Sequence, residues 1–165
     1  MPFSLLPKVM VAELTELTPA MLTHRGIRLL MLDFDNTIVP YTTNVPTERM
    51  DRWLADMLRS GIRLCVVSNS KRDRVRNFCQ KYGLDCITHS RKPFQKGIRN
   101  CLGRYGICAN EAALAGDQIF TDTLGANLAG ATSILVKPID NHNFWLKARH
   151  VLEKPFIFMA RNRRI

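Results

Sequence analysis

The stretch IRLLMLDFDNT, residues 27–37, is mostly apolar and then meets two aspartates one residue apart, Asp33 and Asp35. A short apolar run of this kind reads as a buried strand. Two like charges at its end repel, and each is costly to bury. A turn would use one of them and a helix cap the other. A cation together with a phosphate would use both.

The same pattern repeats along the chain. Ile62–Val67 (IRLCVV), Asp85–His89, Ala112–Ala115 and Thr132–Val136 are further short apolar runs. Between them lie stretches with helical spacing and helix signals. One follows Pro46-Thr47 and stops at Gly61, and another follows Ser70 through KRDRVRNFCQKY. A third runs from Pro93 to Gly106, a fourth covers Phe120–Ala129 before Gly130, and a last covers Phe144–Leu152. Five strands alternating with helices predict an α/β fold, with a central parallel five-stranded sheet covered on both faces. Ligands of such folds sit beyond the carboxyl ends of the strands. One domain is expected over residues 1–165. Residues 1–24 form an N-terminal arm with a short helix begun by Thr18-Pro19.

Composition narrows the class. The 165-residue chain is 46% hydrophobic and 23% charged, ordinary values for a globular protein with its own core. Five cysteines form no CxxC pair and read as free thiols in a reducing cytoplasm rather than disulfides or zinc ligands. No run of about 18 apolar residues suggests a membrane span. The start, broken by Pro7, Lys8 and Glu13, does not read as a signal peptide. Net charge is +10, divided as −2 over residues 1–58 and +12 over residues 59–165. That asymmetry favours an anionic partner: a phosphorylated substrate, an acidic lipid or nucleic acid. The tail 154–165 joins Phe156-Ile-Phe-Met159 to Arg161, Arg163 and Arg164. It suits peripheral contact with an anionic bilayer, or docking on the sheet as a last core element.

In a parallel sheet the polar clusters at the strand ends converge. They are Asp33-x-Asp35, Ser68-Asn69, Arg91-Lys92 and Gly116-Asp117. Paired carboxylates need a cation, and Mg²⁺ prefers such hard oxygen ligands. One Asp then serves as nucleophile toward a phosphate, and a second protonates the leaving oxygen and activates water. Ser68 and Lys92 hold the phosphoryl oxygens. Ser70 and Asn69 compete with Ser68 for this role, and Arg91 and Lys96 compete with Lys92. Lys92, extended before Pro93 at a helix entrance, is preferred. His89 reads as a solvated surface histidine.

These residues resemble the haloacid dehalogenase (HAD) superfamily of phosphatases. Asp33-Phe-Asp-Asn-Thr37 is similar to its DxDxT motif, Ser68 to its second, Lys92 to its third and Gly116–Asp122 (GDQIFTD) to its fourth. The resemblance implies a HAD-like Rossmannoid three-layer sandwich with Asp33 as nucleophile and Asp35 as general acid/base. It implies Mg²⁺ held by Asp33, the Asp35 carbonyl and Asp117, and phosphate bound by Ser68, Asn69 and Lys92. Thr37 would steady the first loop, and Asp122 would orient the metal's waters or Lys92. An ordinary role for Asp122 as an acid at a helix start stays open.

DFDNT, HSRKP (residues 89–93) and GDQIFTDTLGANLAGA (residues 116–131) resemble the YqeG family of subfamily IIIA. That family is similar to the mitochondrial-type phosphatidylglycerophosphate phosphatases, which implies a phospholipid headgroup as substrate. The spacings Thr37 to Ser68 and Ser68 to Lys92 leave no room for a cap domain. An uncapped site suits a phosphate on something large. Phosphoproteins, nucleic-acid ends and small metabolites are the enzymatic alternatives, and a basic RNA- or ribosome-binding module is the non-enzymatic one.

Overall fold

The computed structural model describes residues 4–70, 73–140 and 153–160. Its elements in chain order are β1 (Val9–Val11), α1 (Pro19–His24), β2 (Leu29–Leu32), α2 (Glu48–Arg59), β3 (Arg63–Val67), α3 (Asp73–Tyr82) and β4 (Asp85–Ile87). There follow α4 (Lys96–Tyr105), β5 (Ala112–Gly116), α5 (Leu124–Ala129) and β6 (Thr132–Val136). The strands form one sheet in the order β1-β6-β5-β2-β3-β4, and every pairing is parallel.

Side-chain alternation along each strand divides the core into two layers. Leu30, Leu32, Leu64, Val66, Ala113, Ala115, Ile134 and Val136 face one side, against Trp53, Leu54 and Met57 of α2 and Phe78 of α3. Leu29, Met31, Cys65, Val67, Ala112 and Leu114 face the other, against Ile98 and Cys101 of α4 and Ala126 of α5. Burial on both faces is why these strands read as continuous apolar runs.

The sheet has six strands, not five. The additional one, β1, lies within the expected N-terminal arm and pairs at the edge, Val9 with Ile134 and Val11 with Val136. Three residues carry too weak a pattern to announce a strand. Contacts far along the chain hold it: Lys8 donates from its backbone N to the Ser133 carbonyl at 3.1 Å and from Nζ to the Ala131 carbonyl at 2.8 Å. The short helix α1 forms where Thr18-Pro19 suggests, and the Thr18 hydroxyl accepts from the Met21 N–H. The arm also packs inward, since the buried Trp53 indole donates to the Leu17 carbonyl at 2.7 Å.

The expected helix over 144–152 lies outside the described residues, as do residues 161–165. Residues 153–159 are helical. This segment docks through Glu153, which accepts from the Ile119 N–H at 2.9 Å, and through Phe156, edge-on to Phe120 at 6.0 Å. Phe158 and Met159 stay 73% and 58% exposed. Among the described residues, no helix is long and apolar enough to cross a membrane.

Candidate active site

β2 and β5 are neighbours in the sheet, and the connection leaving β2 runs to β3 on one side while the connection leaving β5 runs to β6 on the other. This is the switch point where parallel sheets open a crevice. Asp33 extends the ladder by one bond, its N–H donating to the Ala115 carbonyl at 2.9 Å. Alternation then buries Phe34 in the core, edge-on to Phe78 at 5.2 Å. Asp33 and Asp35 therefore share the other side, where both line a cavity of about 230 Å³. The spacing of the two acids is a strand spacing used to aim them together.

Asn36 turns the chain with a left-handed φ of 64°, which asparagine tolerates better than most residues. Its side chain clamps the loop after β6. Nδ2 donates to the Asp140 carbonyl at 2.6 Å, and Oδ1 accepts from the Asp140 N–H at 2.9 Å. Thr37 is buried behind it, and its hydroxyl has no hydrogen-bond partner among the described residues.

Ser68 ends β3 in the same cavity. Its Oγ accepts from the Ser70 N–H at 3.0 Å, so it caps the turn, yet a hydroxyl retains its proton for a second partner. The capping and phosphate roles are thus compatible. Asn69 is more committed. Its Oδ1 accepts from the Lys92 N–H at 2.7 Å and the Ser90 hydroxyl at 2.8 Å, while Nδ2 donates to the Lys92 carbonyl at 2.9 Å. It lines the cavity while gripping the Lys92 backbone from both sides.

Lys92 is separated from its competitors by burial. Arg91 and Lys96 are exposed, whereas Lys92 is 5% exposed. Its Nζ lies 2.6 Å from Asp33 Oδ1 and 2.8 Å from Asp122 Oδ1. Burial pulls the ammonium pKa down, but Asp122 and Asp33 outweigh it and hold the pKa above the ordinary lysine value. Asp33 feels the reverse balance. Burial pushes its carboxyl up and Lys92 pulls it back, while Asp122 and Asp35 add repulsion, for a net value of about 7.

Asp122 sits in a π-helical turn, Ile119–Thr123, entered directly from the end of β5. Its Oδ2 accepts from the Gln118 N–H at 3.1 Å. This turn brings the carboxylate so close to Gly116 that a Cβ there would overlap it. Such wide turns recur at functional sites.

Asp33, Asp117 and Asp122 are all buried, with ligand-capable oxygens within 4.8 Å of one another. Asp33 Oδ2 is buried without a hydrogen-bond partner among the described residues. Three clustered acids beside one ammonium are the donor set a hard divalent cation fits. The carboxylate cluster thus contains Asp122 in addition to the expected Asp33 and Asp117. The Asp35 carboxylate has another partner, Arg74, whose Nη1 donates to Asp35 Oδ1 at 2.7 Å. Sequence reasoning missed Arg74. Nothing in its helix marks it out, because its partners are gathered only by folding. His89 is exposed, as a solvated histidine should be.

The chain is similar to known proteins in sequence and in fold. The chain is 32% identical over 134 residues to the Bacillus subtilis protein named Probable phosphatase YqeG, covering 81% of this chain and 78% of that one. Among solved structures, the cobalt-bound deoxy-D-mannose-octulosonate 8-phosphate phosphatase of Haemophilus influenzae aligns with a TM-score of 0.56. The alignment has 13% identity and covers 82% of this chain and 90% of that one. The 3-deoxy-D-manno-octulosonate 8-phosphate phosphatase of Yersinia pestis aligns at 0.54, with 15% identity and 84% of each chain covered. At such identities these two speak to the fold alone. The family model described as Mitochondrial PGP phosphatase matches residues 1–139, a span that takes in β1 and all four strand-end clusters. The chain belongs to that family, and it is a phosphatase of the HAD type.

Proposed function

We propose that the protein is a Mg²⁺-dependent phosphomonoesterase that removes the terminal phosphate of phosphatidylglycerophosphate through an aspartyl-phosphate on Asp33. The observation that carries the substrate is the family match over residues 1–139. The chemistry is supported by the meeting of Asp33, Asp35, Ser68 and Lys92 in one cavity.

In this reading Asp33, Asp117 and the Asp35 carbonyl would hold Mg²⁺, with Asp122 beside them. When bound, the ion would offset the negative charge between the phosphate and the Asp33 carboxylate. An Asp33 carboxylate oxygen attacks phosphorus, and the bond from phosphorus to the alcohol oxygen breaks. Asp35 delivers its proton to that oxygen. Asp35 then takes a proton from water as the water oxygen attacks the same phosphorus. The Asp33–phosphorus bond breaks, releasing phosphate and restoring the carboxylate. Lys92, 2.6 Å from Asp33, favours the ionised nucleophile against the burial that raises its pKa. The Ser68 hydroxyl and the Lys92 ammonium bind the phosphoryl oxygens.

Each connection flanking β3 carries a single helix, α2 before it and α3 after it, which supports an uncapped site open to a bulky ester. Exposed Phe158 and Met159 near Lys154 support peripheral contact with an anionic bilayer. The test is phosphate release from phosphatidylglycerophosphate in mixed micelles, with and without Mg²⁺. Release should require the ion, and Asp33→Asn should lower it at least about a thousand-fold. A wild type that ignores the lipid but cleaves a soluble sugar phosphate well refutes the lipid substrate and leaves the enzyme class standing.

A further inference from the structure

A second cavity, of about 470 Å³, opens beside the candidate active site and shares Asp117 with its acidic cluster. Its origin lies in the edge pairing of β1 with β6. Met10 and Leu135 are register partners, so they point to the same side of the sheet, opposite to Val11 and Val136. With Pro138, and with Ile157 from the helix over 153–159, they give the cavity an apolar lining. Its volume falls within the range of sites that enclose small organic groups.

Two charged groups lie on the wall besides Asp117. The Glu16 carboxylate accepts from the Ala12 N–H at 3.1 Å and so helps to hold the end of β1. Lys137 is exposed and makes no ion pair among the described residues. The cavity therefore offers an ammonium and an apolar wall next to a cluster suited to a metal and a phosphate. An ester with a second anion and an apolar body beyond its terminal phosphate complements that arrangement.

We infer that this cavity receives the part of the phospholipid substrate beyond the scissile phosphate. Lys137 pairs with the retained phosphodiester, and Met10, Leu135 and Ile157 pack against the glycerol backbone and the first acyl carbons. This rests on the phospholipid reading above and adds the residues that select it. Those carbons leave water on binding, while Lys137 meets the one charge that the hydrolysed product keeps.

The experiment compares kcat/KM for phosphatidylglycerophosphate in mixed micelles with kcat/KM for glycerol 3-phosphate, in the wild type, Lys137→Glu and Ile157→Asn. The ratio should favour the lipid in the wild type and fall at least ten-fold in each variant, chiefly through the KM for the lipid. Phosphatidylglycerol, which has no monoester phosphate, should inhibit glycerol 3-phosphate hydrolysis by the wild type. It should do so at least ten-fold less well with Lys137→Glu, a surface change that also serves if Ile157→Asn fails to fold. A wild type that prefers the lipid, with ratio and inhibition both unmoved in the variants, overturns the cavity assignment alone. A wild type without activity on the lipid overturns the substrate reading and the assignment with it.

Discussion

Arg74 and Asp35, 39 positions apart in the chain, form a partly buried ion pair with Arg74 Nη1 2.7 Å from Asp35 Oδ1. The rest of the guanidinium is also engaged. Nη2 donates to the Pro40 carbonyl at 3.0 Å and the Thr43 carbonyl at 2.9 Å, and Nε donates to Asn44 Oδ1. Its face lies over the Phe34 ring, 5.1 Å from the centroid. One side chain thus ties the loop over residues 40–44 to the acid proposed to carry the proton.

Replacing Arg74 should disorder that loop and release Asp35. We expect Arg74→Ala to lower kcat about ten- to a hundred-fold and to cost roughly 2 kcal/mol of stability. Arg74→Lys should recover little of the rate, because an ammonium cannot span the separate acceptors that the planar fork reaches. Steady-state kinetics and urea melts check both. Full activity in Arg74→Ala would remove Arg74 from any positioning role.

The raised pKa of Asp33 predicts a pH dependence of the metal-free protein. Its folded value of about 7 lies above its ordinary 3.8, so between those values the folded state binds the extra proton. The Asp33 contribution to stability is therefore full below about pH 4 and is lost as pH rises through about 7. Mg²⁺ binds the ionised carboxylate, so its stabilising effect should grow over the same interval. Thermal melts at pH 5.5 and pH 8, with and without Mg²⁺, should show the larger Tm increase at pH 8. An equal increase at both would exclude Asp33 as a ligand whose titration is linked to binding.

Gly116→Ala tests the close approach of β5 to the π-helical turn. The added methyl overlaps the Asp122 carboxylate. Relief requires the Asp122 carboxylate, 2.8 Å from the Lys92 ammonium, to shift from its position. We expect a loss of about 1–3 kcal/mol and a fall in activity larger than stability alone accounts for, measured well below the melting temperature. A fully active variant would mean that Asp122 is free to shift without consequence.

Asn69→Ala should release the Lys92 backbone while leaving its ammonium chemically intact. Three hydrogen bonds to the Asn69 amide disappear together, one of them from Ser90. The expected result is an increase of about ten-fold in KM for any phosphate ester, with the Mg²⁺ affinity little altered. Loss of Mg²⁺ binding instead would place Asn69 nearer the acidic cluster than its hydrogen bonds indicate.

Much of this was legible in the linear chain for reasons that are local. Continuous apolar runs such as Leu29–Leu32 arise because both faces of a parallel strand are buried. Helix starts and stops follow from Thr18, Thr47 and Gly106, whose caps act within a few residues. The strand-end polar pairs announced a common crevice, since parallel strands must bring the same ends together. The sequence alone thus determined the α/β layering and the strand ends at which polar residues gather.

Tertiary structure decided the rest, through contacts with no local signal. β1 is a strand because Lys8 and Val9–Val11 find β6 more than a hundred residues away. Lys92 rather than Arg91 reaches the acids because it alone is buried between Asp33 and Asp122. Asp122 joins the carboxylate cluster because a π-helical turn folds it back over Gly116. Arg74 finds Asp35 only after α3 packs beside the end of β2, since no spacing along one helix or strand could relate them.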